Sequence, residues 1–294
     1  MKSRKTANVS TWVFHTFFFY KENIFRKLFP LMIVLALYCL LVNYLNYSSI
    51  FIANIIEKGL EQFHMIFSFI LAFFISFRVN TSYNRWWEAR TLWGGIVNNS
   101  RNLALKFEVY VGLDKYPEFT ELVAHYPRVL KLHLRSNHEA IAELFAQYGY
   151  HCDTLDNPMV VLNHKMYIAI NDLRKEELIS LEQYLMLDQH VANLMDLTGG
   201  CERILKTPPP PAFSFLARQA LLCYALIFPF GWVDIFGLIS IPLLLIIVYV
   251  LFGLEVLAEE MEDPFGYDDH DLPLANISKN ISNNVHSIAR YKQT

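Results

Sequence analysis

Residues Gln62 to Arg101 read QFHMIFSFILAFFISFRVNTSYNRWWEARTLWGGIVNNSR. The first part is uncharged and dense in phenylalanine. The remainder turns abruptly to arginine, tryptophan, asparagine and glutamate, and no proline interrupts the change. Such a stretch predicts one long helix passing from lipid into water. Phe69, Phe73 and Phe77 recur every four residues and so fall on roughly one helix face. A straight row of rings on a membrane helix has two readings. One is packing between helices; the other is an apolar constriction that lines a pore and gates it by dewetting. The uncharged part, Gln62 to Phe77, is shorter than the roughly 20 residues that face lipid across a bilayer. It suits a helix surrounded by other helices along an aqueous path.

On either side of this stretch the chain is rich in apolar segments. The 294 residues are 54% hydrophobic and 15% aromatic, high for a soluble protein of this length. No charge occurs from Leu28 to Ile56, which accommodates a first span at Leu28–Leu45. Glu57, Lys58 and Glu61 mark a short return loop before the second span. A third span runs from about Phe213 to Phe230, a tight turn containing Pro229, Gly231, Trp232 and Asp234 follows, and a fourth covers Ile235 to Leu254. WVFHTFFFY, beginning at Trp12, suits an interfacial helix leading into the membrane. His64 is a lone histidine and reads as a hydrogen-bonded interfacial residue. Between the second and third spans, apolar residues recur at helical spacing without strand alternation, which predicts a helical domain. Tyr148–Pro158 reads as a loop, and the four prolines Pro208 to Pro211 stiffen the re-entry. The resulting divisions are a 1–27 N-terminal segment, 28–90 with the first two spans, a 91–211 helical domain, 212–256 with the last two spans, and an acidic 257–294 tail. Lys21, Arg26, Lys27, Arg78, Arg85, Arg90, Arg203 and Lys206 flank one membrane side, while the opposite loops carry only Lys58. Both termini and the helical domain are therefore expected in the cytoplasm.

The net charge of −3 gives no reason to expect nucleic-acid binding, and the four cysteines lack the spacing of a metal site or disulfide framework. No phosphate loop, dinucleotide fingerprint, HExxH or GxSxG is present, so the sequence offers no enzyme motif. Arg78, Arg85, Glu88 and Arg90 stand where the second helix leaves the membrane, beside Trp86, Trp87 and Trp93. They read either as a packed, salt-bridged junction or as groups that attract ions. Simple i,i+4 pairing does not account for them. DPFGYDDHDLP, Asp263 to Pro273, reads either as a solvated acidic loop or as carboxylates for a hard cation such as calcium, without the regular ligand spacing of an EF-hand.

Three motifs carry a resemblance. FRVNTSYNRWWEARTLWGGIVNNSRN from Phe77, GGCERILKTPPPP from Gly199 and AEEMEDPFG from Ala258 are similar, in order and in place between hydrophobic segments, to signatures of the bestrophin ion channels. The resemblance implies an all-α membrane protein with four transmembrane helices per subunit and a cytoplasmic helical domain. It also implies a ring-shaped homopentamer around one central pore and, for a prokaryotic member, residence in the inner membrane. The family's bulky apolar neck positions fall on Phe69, Phe73 and Phe77. An ungapped match through GGCER places Glu182 at the family's second, cytoplasmic aperture. Asp268 and Asp271 match carboxylates of the calcium clasp of animal relatives, and Asp263 replaces an asparagine there. Selectivity receives opposed signals. Phe73 matches anion-conducting members, and a positive ring edge can face an anion. Five Glu182 carboxylates would draw cations. Anion flux is favoured, with a sodium channel of the same architecture or a coupled transporter as alternatives.

Overall fold

The computed structural model describes residues 24–47, 55–150 and 157–291, and among these there are helices and turns but no strand. The helices are α1 (Ile24–Tyr47), α2 (Ile55–Tyr110), α3 (Pro117–Leu134), α4 (His138–Gln147), α5 (Pro158–Lys175), α6 (Leu181–Lys206), α7 (Pro211–Phe236), α8 (Ser240–Glu262) and α9 (Leu274–Ile288). The predicted interfacial helix at Trp12 lies almost wholly outside the described residues, as does most of the predicted loop after Tyr148.

Helix α2 contains 56 residues without a proline, which at 1.5 Å per residue makes it about 84 Å long. It begins at Ile55, so Glu57, Lys58 and Glu61, expected in a loop, occupy its first turns. Helix α7 likewise runs straight through the expected turn. Pro229 is accommodated inside it, and the reversal comes instead at Gly237, whose φ of 51° is a backbone region open chiefly to glycine. After the 3-10 turn Gly237–Ile239, α8 begins at Ser240 and continues to Glu262, well past the last apolar residue of the predicted fourth span.

Residue contacts divide the chain into two units, one formed by 1–82 and 209–260, the other by 83–208 and 261–294. In the first unit, α1, the start of α2, α7 and α8 bury Leu35, Cys39, Leu71, Ile75, Leu221, Ala225, Leu244 and Val248 against one another. His64 is buried there and hydrogen-bonded. Its Nε2 lies 3.1 Å from the Ile227 carbonyl, with the rings of Tyr224 and Phe228 around it.

The second unit is a helical bundle. Trp93, Ile96, Phe107, Phe119, Tyr126, Leu162, Leu187, Val191 and Ile281 share its core. Local sequence starts each helix cleanly. Pro117, Pro158 and Pro211 stand in first turns, where a missing N–H costs nothing. Asn137 and Asn157 cap α4 and α5, and Ser180 with Gln183 forms a capping box for α6. One glycine of each pair in the first and second motif stretches faces a close neighbour. A Cβ on Gly95 would come within 2.8 Å of Leu197, and one on Gly200 within 2.8 Å of Leu92, so glycine lets α2 and α6 approach closely at both points.

Candidate functional site

Helix α2 buries a stripe with alternating spacings of four and three: Leu71, Ile75, Arg78 and Ser82 in the first unit, then Ala89, Trp93, Ile96, Ser100, Leu103 and Phe107 in the second. The phenylalanine row lies off that stripe. Phe69, Phe73 and Phe77 are 76%, 73% and 58% exposed, and none belongs to the apolar core of this chain. Successive rings rise by about 6 Å along the helix. Ile66 and Ile70 are exposed beside them. A continuous apolar strip of this kind marks a surface made for lipid, another subunit or a conduit.

Directly after the row, the first unit gathers charge. Arg78 Nε donates to Glu255 Oε2 at 2.6 Å, with both side chains buried. Arg218 Nη2 lies 2.5 Å from Glu259, and Lys27 Nζ lies 2.6 Å from Glu260. Basic groups on α1, α2 and α7 thus meet carboxylates on α8. Sequence reading missed this partner set, because Glu259 and Glu260 fall in the acidic tail and Glu255 at the end of the last span. The available signal was their i, i+4 spacing directly after an apolar span, at the membrane side where the other spans carry bases.

In the second unit, Arg85 closes the C-terminal end of α6. Its guanidinium donates to the carbonyls of Thr207 (2.9 Å) and Ile204, and its Nε to that of Glu262 (2.6 Å). A cation there satisfies orphan carbonyls and opposes the negative end of the helix dipole. Glu88 pairs with Arg203 at 2.5 Å, Trp86 Nε1 donates to the His270 carbonyl at 3.0 Å, and Trp93 is fully buried. Arg78, Arg85 and Glu88 are therefore engaged in packing and pairing, whereas Arg90 is exposed.

Glu182 sits in the first turn of α6 and is exposed, beside the exposed side chains of Leu178, Leu181 and Leu185. It accepts a hydrogen bond from Ser180 Oγ at 2.7 Å, which holds its carboxyl below the usual glutamate range. A negative charge suits a helix N-terminus. In the acidic loop, a Cβ on Gly266 would lie 2.7 Å from Asp271 Oδ2 and 3.0 Å from Asp263 Oδ2, so these two carboxylates converge there. Asp271 Oδ2 also accepts from the Asp268 N–H at 2.6 Å. The loop carbonyls of Phe265 and Gly266 are taken by Arg135 at 2.9 and 2.7 Å, and its guanidinium lies 4.1 Å above the Tyr267 ring. Two carboxylates match the oxygen preference of calcium but fall short of its six to eight ligands. No group of three or more His, Cys, Asp or Glu suited to a metal occurs among the described residues.

Three apolar stretches are long enough to cross a bilayer: Ile24–Asn46, Gln62–Tyr110 and Pro211–Glu262, the last divided by the turn at Gly237. An all-helical chain of this kind, with charge massed at the ends of its apolar helices, is an integral membrane protein. The bacterial/fungal bestrophin family profile matches residues 2–287, and the chain belongs to that family. It is 33% identical over 227 residues to a voltage-dependent anion channel-forming protein of Nostoc, 74% of each chain. To one of Synechocystis it is 34% identical over 231 residues, 75% of each. A bacterial bestrophin homologue from Klebsiella pneumoniae has the same fold, with a TM-score of 0.76 at 23% identity, covering 89% of this chain and 98% of that one.

Proposed function

We propose that this chain is a subunit of an anion channel, in which five copies form a ring and ions pass passively along its axis. In this reading α1, the apolar part of α2, α7 and α8 are the four spans, and the second unit and both termini are cytoplasmic, in the bacterial inner membrane. Phe69, Phe73 and Phe77 line the neck. The carrying observation is their exposure on one line of α2, opposite the residues that α2 buries within its own chain. Two relatives above 30% identity that bear the name of anion channel-forming proteins support the same class.

A sodium-conducting variant of this architecture is favoured by one observation, the exposed and acid-shifted Glu182. A coupled transporter has less support, because such proteins set polar ion ligands at the bilayer midplane, and here that stretch of α2 presents phenylalanine. Ion flux requires no cofactor in this scheme. The convergence of Asp263 and Asp271 supports calcium binding at the loop, and a calorimetric calcium titration of wild type against Asp263→Asn tests it.

Purified protein in planar bilayers should show unitary currents that reverse near the chloride potential. Stoichiometric flux driven by a second ion, without unitary currents, would replace the channel with a transporter. Native mass spectrometry showing a stable monomer or dimer would remove the ring of five.

A further inference from the structure

Within the second unit, α3 and α9 cross over small side chains. Ala124 on α3 and Ala275, Ser278 and Ser282 on α9 leave a hollow of about 240 Å³ between the helices. Arg128 and Lys131 border it from α3, and Lys279 borders it from α9. No carboxylate lines the hollow, and none of the three cations has a carboxylate partner among the described residues. The acid nearest along α3, Glu121, is already engaged, 3.0 Å from His125 Nε2 and 3.9 Å from His286 Nδ1. Arg135, at the C-cap of α3, is committed to the carbonyls of Phe265 and Gly266.

This arrangement is rich in donors and poor in acceptors. Arginine and lysine bring only N–H donors, and the Ser282 hydroxyl and Asn283 amide at the same hollow add neutral ones. Burial, together with the neighbouring Arg135 and Arg128, holds the Lys131 ammonium below the ordinary lysine range. Arg128 and Lys279 are exposed and Lys131 is half-buried, so the three charges meet solvent and one another rather than a carboxylate. A tetrahedral oxyanion supplies several acceptor oxygens at once, and charge-assisted bonds to phosphate are among the stronger ones available. Among the described residues His125 is the sole ring at the hollow, so a stacked base has no platform there.

We propose that the α3–α9 cleft binds the phosphate group of an anionic ligand, with Arg128, Lys131 and Lys279 as its cationic donors. The phosphate comes from one of two sources, a soluble phosphate compound or the headgroup of an acidic phospholipid. The test uses the full-length protein and requires no current, so it stands apart from the channel reading. Inorganic phosphate is titrated calorimetrically in detergent at constant ionic strength. Separately, thermal unfolding is followed in nanodiscs of phosphatidylcholine with and without phosphatidic acid.

Saturable phosphate binding identifies a soluble source; stabilisation by phosphatidic acid without phosphate binding identifies a lipid source. In either case Lys131→Gln/Lys279→Gln should weaken the response about tenfold, as expected from losing charge-assisted bonds. Lys279→Arg should preserve it, and the remote Lys175→Gln should leave it unchanged. If the double variant misfolds by circular dichroism, the single variant Lys279→Gln decides the matter through the same loss. No response to either ligand, or an equal response in the Lys279 variants without the charge, overturns the proposal.

Discussion

Arg78 donates its Nε–H to Glu255 Oε2 over 2.6 Å, although 177 residues separate them in the chain, and each side chain is only 5% exposed. Arg78 immediately follows Phe77, so this pair fixes the end of the phenylalanine row to α8. Removing one member of a buried pair leaves a charge in a poor environment, which typically costs ~3–5 kcal/mol, whereas replacing both with apolar groups is often neutral. Arg78→Met and Glu255→Met should each lower the unfolding temperature in detergent markedly, and the double variant should recover most of the loss. A double variant that loses the sum of the single effects would show that the two residues act independently.

Cys201 provides a second test of packing. Burial, helped by the nearby carboxylates of Glu202 and Glu88, pushes its thiol up to about 12. At neutral pH almost none of it is thiolate, and the side chain is fully buried. Iodoacetamide followed by peptide mass spectrometry should leave Cys201 unmodified in the native protein and alkylate it after denaturation. Rapid native alkylation would mean that α6 is not packed at this point as described.

The helices were legible in the sequence because apolar spans and 3.6-residue periodicity are local signals. The Phe69, Phe73 and Phe77 register was legible for the same reason, since four-residue spacing fixes one face before any partner is known. Turns were read less well. Pro229 and Gly231 looked like breakers, but α7 absorbs both, and the decisive residue is Gly237 with its positive φ. Long-range pairs were least accessible. Nothing near Arg78 names Glu255 as its partner, and nothing near Arg85 names the carbonyls at the end of α6. The engaged state of Arg78, Arg85 and Glu88 emerges only when distant helices are packed together.

Glu202, in the GGCER stretch, gives a prediction for acid stability. Burial raises its carboxyl, but hydrogen bonds from Asn157 (2.8 Å), His133 (2.9 Å) and Lys206 (3.3 Å) outweigh that and leave it below the ordinary glutamate range. A depressed folded-state value means that the group stabilises the fold above its unfolded value, and this contribution fades as pH falls through the folded one. The wild type should therefore lose thermal stability as pH is lowered from neutral through the carboxylate range. Glu202→Gln should be less stable at neutral pH and should show a shallower decline. Parallel pH profiles for the two proteins would exclude Glu202 as a contributor.

The phenylalanine row separates stability from conduction. Buried Phe→Ala changes typically cost ~3–5 kcal/mol, but these rings are exposed within the subunit and lose little intrachain contact on truncation. The triple variant Phe69→Ala/Phe73→Ala/Phe77→Ala should keep the helical circular dichroism signal of wild type. Its conductance should rise, or the channel should stay open, because a wider and less apolar constriction hydrates. Unchanged currents would make the row a lipid or subunit contact.

Selectivity sets the two proposed constrictions against each other. Phe73 is a neutral ring whose positive edge can face an anion. Glu182 is exposed and accepts a hydrogen bond from Ser180 Oγ, and a ring of such carboxylates would draw cations and repel chloride. Three successive rings along α2 make a longer path than one residue at a helix start, and the longer path should dominate. Reversal potentials in a chloride and sodium gradient should therefore lie on the anion side for wild type, move toward zero in Phe73→Ile, and move further toward chloride in Glu182→Ala. A wild type that selects sodium and loses that preference in Glu182→Ala would assign control to the aperture instead.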